Sequence, residues 1–366
     1  GGLGNLGRLE DGRFLLAWGG LRLIFLVMFF LAKFFWLYKK FTFPKRLFGR
    51  ERVLSTRVRL YMRAPRLQNR IFKGVCFIAS VSILLVVALM IITLVVESMP
   101  ALKRFGFFNF LTSAQWNYSK DIYGAWRPLA GTLLTTGLAM IAAVPVAVGT
   151  AIFLTELCPS RLRSSIATAL ELLSAIPSII YGMWGLLVLA PFLETWFQPI
   201  IGQTFGHLPT IGSFFHTPLA GGVNIFTASM ILAIMILPFV TSITRDAFNQ
   251  VPAVLKESSY ALGATRFETI YKVVIPFTRM AITGGATIAM GRALGETMAV
   301  AYVIGNRHAA LDSIFSPYTT ITSVMANEFN EASGLRLSVL FALALVLFVA
   351  NFVVLMISKR LMGNPR

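Results

Sequence analysis

Apolar residues fall into six long blocks along the chain, separated by shorter polar connections. The blocks cover roughly residues 75–96, 129–154, 166–192, 226–244, 273–304 and 337–357. Crossing a hydrocarbon core takes on the order of 20 apolar residues in one helix. Each block meets that length, and the fifth is long enough to begin outside the bilayer. The pattern predicts an all-α, polytopic membrane protein with a six-helix core.

Composition agrees: 56% of the residues are hydrophobic and 13% charged, a balance that soluble domains of this length do not show. A net charge of +18 would suggest nucleic acid in a soluble protein. Here twelve Lys and Arg crowd residues 39–73, directly before the first block, which suits a flank facing anionic lipid and no nucleic acid.

Basic residues orient the helices. They recur at Arg161 and Arg163, at five positions from Arg245 to Arg279, and at Lys359, Arg360 and Arg366. The intervening loops carry only Lys103, Arg104, Lys120 and Arg127, then Arg307 and Arg336. By the positive-inside rule both ends of the six-helix unit are cytoplasmic and the loop with Asp121 is outside. Arg127 reads as an interfacial anchor or as a contact for an external partner.

Residues 1–61 stand apart as a basic, aromatic extension ahead of the six-helix region at 62–366. Within it residues 21–38 are apolar enough to span, yet Arg22 and Lys33 interrupt them. A seventh helix, an interfacial helix, and a natural start at Met62 all fit. No small-residue cleavage site follows, so the segment does not read as a signal peptide.

Cys76 and Cys158 lie in or beside apolar stretches without a metal-ligand spacing, and His207, His216 and His308 are far apart in sequence. No nucleophile, base and orienting group occur together, so an enzyme is not expected. A nucleotide-cradling G-x-x-x-x-G-K-[ST] string is also missing from the sequence.

The polar stretch at about 252–276 is the most informative. Pro252 suits a first helical turn and Gly263 the position just past a helix end. Thr265 and Glu268 have capping-box spacing, so a second helix starts at once and runs towards Pro276. The expected form is helix, bend, helix.

That stretch carries a resemblance. Glu257-Ser258-Ser259, three residues, Gly263, nine residues, then Val273-Val274-Ile275-Pro276 resembles the EAA loop of ATP-binding-cassette importer permeases, with two serines in place of two alanines. The strings "GRALGETMAV", "ELLSAIPSIIYGMWG", "DIYGAWRPLAGTL" and "ITSVMANEFNEA" are similar to phosphate-importer permeases of the PstC type. The resemblance covers roughly residues 72–359. It implies a transport subunit in a prokaryotic inner (plasma) membrane, paired with a second permease in a heterodimer. Two copies of an ATPase subunit would use ATP and Mg, and a periplasmic binding protein would deliver phosphate. No cofactor would be bound by this chain, and Glu257, Ser258, Ser259, Gly263 and Pro276 would form the ATPase-coupling element. Permeases for molybdate or sulfate share the loop, and a sensor or scaffold relaying phosphate status is an alternative.

Arg292 and Glu296 lie four apart inside the fifth block, where a lone arginine costs about 2.5–3.5 kcal/mol on insertion scales. On a continuous helix they share a face and can pair. Pairing with each other, bridging to a partner permease, and lining an anion path with Arg292 held by Glu296 all remain open. Ser178 and Tyr181 are further candidate path hydroxyls, beside Pro177, which breaks the hydrogen-bond ladder, and Gly182 and Gly185, which allow close helix approach. Pro145 and Gly149 read as kink and packing residues.

Overall fold

The computed structural model describes residues 64–206, 212–215 and 222–361. The helix considered for residues 21–38, the Met62 boundary, His207 and His216 lie outside the described residues. Contacts divide the chain into Gly1–Ser80 and Val81–Arg366. In the first unit the described residues are helical, and Ser80 Oγ donates to the Cys76 carbonyl at 2.8 Å.

Among the described residues, six helices are long and apolar enough to cross a membrane. Helix α1 runs over Ala64–Phe105, the short α2 over Phe107–Thr112, and a two-residue hairpin pairs β1 (Trp116–Asn117) with β2 (Ile122–Tyr123). Then come α3 (Trp126–Leu157), the amphipathic α4 (Ser160–Ser174) and α5 (Ser178–Phe205). Helix α6 (Ile225–Asn249) leads into α7 (Ala253–Ala261), α8 (Arg266–Leu294), α9 (Met298–Val303), α10 (Ile321–Glu328) and α11 (Gly334–Leu361).

Two of the six expected blocks are interrupted. The third splits because residues before a proline avoid the helical region. Chain at Ala175–Ile176–Pro177 therefore turns, and the span that follows is 178–205 rather than 166–192. The fifth ends at Leu294, where Gly295, Glu296 and Thr297 leave the helical ladder before α9 begins.

Helix α6 is the central span, with 67% of its apolar window buried against 28% or less for the others. Its main partner is α3, which presents Ala139, Ala143, Ala147 and Ala151 at four-residue spacing, all fully enclosed. Small side chains on one stripe let two helix axes approach closely, the usual packing device where lipid removes the hydrophobic drive between helices. Ile231, Leu232, Met235, Ile236, Val240 and Phe248 fill the opposing side. Gly185 of α5 belongs to the same logic: a Cβ there would lie 1.9 Å from Ile231 Cδ1. Gly149 has open space around it, so it does not pack within this chain.

A second core gathers at the β-hairpin end, where Phe110, Tyr123, Ile321, Leu340 and Leu343 pack together. Helix α3 thus connects that end to the α7 end of the protein.

Candidate functional site

The interruption after α8 is where the sequence places Arg292 and Glu296. Helix α8 closes with Gly295 N–H on the Arg292 carbonyl (3.2 Å) and Glu296 N–H on that of Ala293 (3.3 Å). Of the readings left open by the sequence, the same-face pair is not formed, because the helix that would align the two residues ends between them. Glu296 instead turns to α9: its Oε1 accepts from Ala299 N–H at 3.3 Å, satisfying one of the orphan donors of a helix start. Its carbonyl accepts from Thr322 Oγ1 at 2.8 Å, which ties the break to α10. Arg292 is exposed in the last turn of α8, near the negative end of the helix dipole, and has no ion pair among the described residues.

Hydroxyls surround this break. Thr320 caps α10 by accepting from Ser323 N–H, while Ile321 N–H donates to Thr132 Oγ1 of α3 at 3.0 Å. Thr132, Thr319, Thr320, Thr322 and Ser323 are all buried. Helix α3 comes this close because Gly131 has no side chain: a Cβ would sit 1.9 Å from the Thr319 carbonyl oxygen. Tyr181 does not offer its hydroxyl to a path, since it is buried and donates to the Leu173 carbonyl at 2.7 Å, joining α5 to the end of α4. Ser178 is half-buried at the start of α5.

At the other end of α3, α7 and the start of α8 form the expected helix–bend–helix. Pro252 is the cap just ahead of α7, not its first turn. Gly263 adopts φ 85°, a left-handed conformation glycine takes without strain. Thr265 and Glu268 complete a reciprocal capping box, the Thr265 side chain accepting from Glu268 N–H and the Glu268 carboxylate from Thr265 N–H. Helix α8 does not stop near Pro276 but continues through it to Leu294.

Glu257 and Ser258 are exposed, whereas Ser259 lies 3.0 Å from Thr269 Oγ1 and holds the two arms together. Beside these serines stands an apolar knob that the sequence reading did not single out: Leu262 is 90% and Phe267 75% exposed, with Phe267 stacked on Tyr271. A bulky apolar residue directly before the turn glycine was the available signal, because a helix end buried in its own chain would enclose it.

A third cluster lies at the β-hairpin end. Glu328 accepts from Tyr118 Oη at 2.7 Å and from Arg336 Nη2 at 3.2 Å, with His308 Nε2 3.5 Å away. Arg336 also sits 4.7 Å over the Tyr118 ring, and Trp116 stacks on His308 at 4.6 Å. Burial works to raise the Glu328 pKa, but hydrogen bonds from His308, Tyr118 and Arg336 outweigh it and hold the carboxyl below its ordinary value. Burial, then the bond to Glu328, pushes the Tyr118 phenol up to about 12. Tyr118, His308, Glu328 and Arg336 line a cleft of about 430 Å³ with Asn306, Asn327 and Glu331. Arg127, read from the sequence as an anchor or partner contact, donates to the His308 carbonyl at 2.6 Å.

Residues 143–363 match the family described as the binding-protein-dependent transport system inner membrane component. The phosphate transport system permease protein PstC of Mesorhizobium japonicum is 51% identical over 80% of this chain and 89% of its own length. That of Pasteurella multocida is 49% identical over 77% and 88%. The solved bacterial alginate ABC transporter, in complex with its alginate pentasaccharide-bound periplasmic protein, covers 86% of this chain with a TM-score of 0.50 at 16% identity, a likeness of fold alone. The chain is a multi-pass membrane protein that belongs to the family of binding-protein-dependent transport system inner membrane components.

Proposed function

We infer that this chain is the membrane permease subunit of an ATP-driven importer of inorganic phosphate. The observation that carries the phosphate assignment is the 51% identity, over four-fifths of the chain, to a protein named as a phosphate transport system permease. The chain is not an enzyme. ATP and Mg are used by two copies of a separate ATPase subunit, and no cofactor is bound here. A second permease subunit completes the passage, and a binding protein delivers phosphate from outside a prokaryotic inner membrane.

The α7–α8 bend, with Leu262 and Phe267 projecting, is the cytoplasmic element that docks the ATPase. Glu257, Ser258, Ser259 and Gly263 set its shape. Arg292 is exposed at the α8–α9 break, and in this reading it lines the passage that the second permease completes. Its planar fork suits phosphate oxygens, and a guanidinium remains charged at every relevant pH. Glu296 caps α9 and leaves the arginine available. Buried hydroxyls of α3 and α10 brace the break behind the arginine, Thr322 on the Glu296 carbonyl and Thr132 on Ile321 N–H.

The test is uptake of radiolabelled phosphate by the purified complex in proteoliposomes, with excess sulfate or molybdate as competitor. Competition by phosphate alone is expected. Uptake suppressed by sulfate or molybdate would assign another oxyanion, and a complex that binds ATP but moves no anion would assign a sensor.

A further inference from the structure

Lys256 precedes Glu257 in α7 and plays no part in the reading above. Its Nζ lies 2.5 Å from Glu156 Oε1, in the final turn of α3, Phe153–Leu157. The side chains are only 22% and 11% exposed, and the residues are 100 positions apart in sequence. Other charged pairs here differ. Lys272 and Glu268 lie on one helix and are largely exposed, so they cannot transmit motion between elements. Arg245–Glu171 joins α6 to α4 with the carboxylate 59% exposed. Among the described residues, Lys256–Glu156 is the ion pair that joins α7 to a membrane span.

The turn that carries Glu156 is also held from its far side. Arg163 of α4 donates to the Thr155 carbonyl at 2.9 Å and to that of Cys158 at 3.5 Å. Helices α7, α3 and α4 therefore meet at one turn, with a cation from each neighbour on its carboxylate or carbonyls. A partly enclosed pair interacts more strongly than one in open water and holds its partners at a fixed distance. Helix α3 then runs from this junction to the β-hairpin end, where Arg127 holds the His308 loop. Both ends of α3 are thus tied by a charged side chain to the elements that face outward from the membrane.

We propose that Lys256 and Glu156 form a strut that transmits displacement of the α7 hairpin into α3 and, through Arg163, into α4, so setting how much substrate moves per ATP hydrolysed. The two are positioning residues; neither touches cargo or nucleotide. The proposal rests on the permease reading given above.

The experiment uses the whole complex in proteoliposomes and measures uptake per ATP hydrolysed for Lys256→Glu, Glu156→Lys and the double exchange. Each single change is expected to lower the ratio about tenfold while ATP hydrolysis continues, and the double to restore most of it, as coupled neighbours do in a double-mutant cycle. Lys256→Met and Glu156→Gln, which introduce no repulsion, should lower it in the same direction. Singles with the wild-type ratio, or an assembled double no better than its worse parent, would overturn the strut. Radiolabelled phosphate is the first probe, with sulfate and molybdate run beside it. If the wild type carries sulfate instead, the phosphate reading fails, and the ratio measured with sulfate still decides the strut.

Discussion

Thr322 Oγ1 donates to the Glu296 carbonyl at 2.8 Å, and that single bond joins the break between α8 and α9 to the first turn of α10. With the Glu296 carboxylate on Ala299 N–H, the acid is a structural cap and not the counter-ion of Arg292. Glu296→Gln keeps an acceptor oxygen for that cap and strands no charge within this chain. Complex yield and melting temperature should change by the equivalent of about 1 kcal/mol or less. A collapse of yield would show that the carboxylate charge itself is required.

Gly263 supplies the left-handed turn between α7 and α8. Gly263→Val forces a β-branched residue into that conformation, at about 1–3 kcal/mol of local strain. Membrane insertion should persist, because the six spans do not depend on the bend. Phosphate-stimulated ATP hydrolysis should fall. Unchanged stimulation in the Val variant would remove the bend from the coupling mechanism.

How much of this was legible in the sequence depends on the range of the interaction. The capping box of Thr265 and Glu268 is written within four residues, and the helix–bend–helix follows from it and from Gly263. The breaks at Pro177 and Gly295 also have local signals, yet both sit inside unbroken apolar blocks, and block length reports burial in lipid without reporting continuity of the helix. That is why Arg292 and Glu296 read as one face of one helix. The Tyr118–Glu328 bond spans 210 positions and Lys256–Glu156 spans 100. No periodicity links such residues, since only the packing of α3 against α6 and α10 brings them together.

Close packing at Gly131 makes a sharper mutational test. The atom that a Cβ would meet there is a backbone oxygen, which cannot rotate away as a side chain can. Gly131→Ala should destabilise the complex by about 1–3 kcal/mol through overpacking, seen as lower thermal stability of the detergent-purified complex. Wild-type stability would mean that α10 shifts freely against α3.

Acid should loosen the β-hairpin end through Glu328, whose carboxyl is held below its ordinary value of 4.5. A depressed native pKa means that the folded state binds the proton less readily than the unfolded state. The resulting stabilisation is complete above the unfolded value and is lost as pH falls through the native one. Limited proteolysis of the hairpin should therefore accelerate only as pH drops below the ordinary carboxylate range. In Glu328→Gln that acid dependence should flatten, and an unaltered profile would place its origin in other groups.

Arg292 is the residue on which the transport account turns. Arg292→Gln retains hydrogen-bonding capacity and removes the charge that favours an anion in a low-dielectric passage. The decisive measurement is ATP-dependent uptake of radiolabelled phosphate by proteoliposomes containing the Arg292→Gln complex, with assembled complex quantified in the same vesicles. The account predicts wild-type assembly with uptake abolished, and partial uptake for Arg292→Lys, whose point charge lacks the fork. Wild-type uptake by Arg292→Gln, or a loss of uptake that merely tracks a loss of assembly, would contradict it.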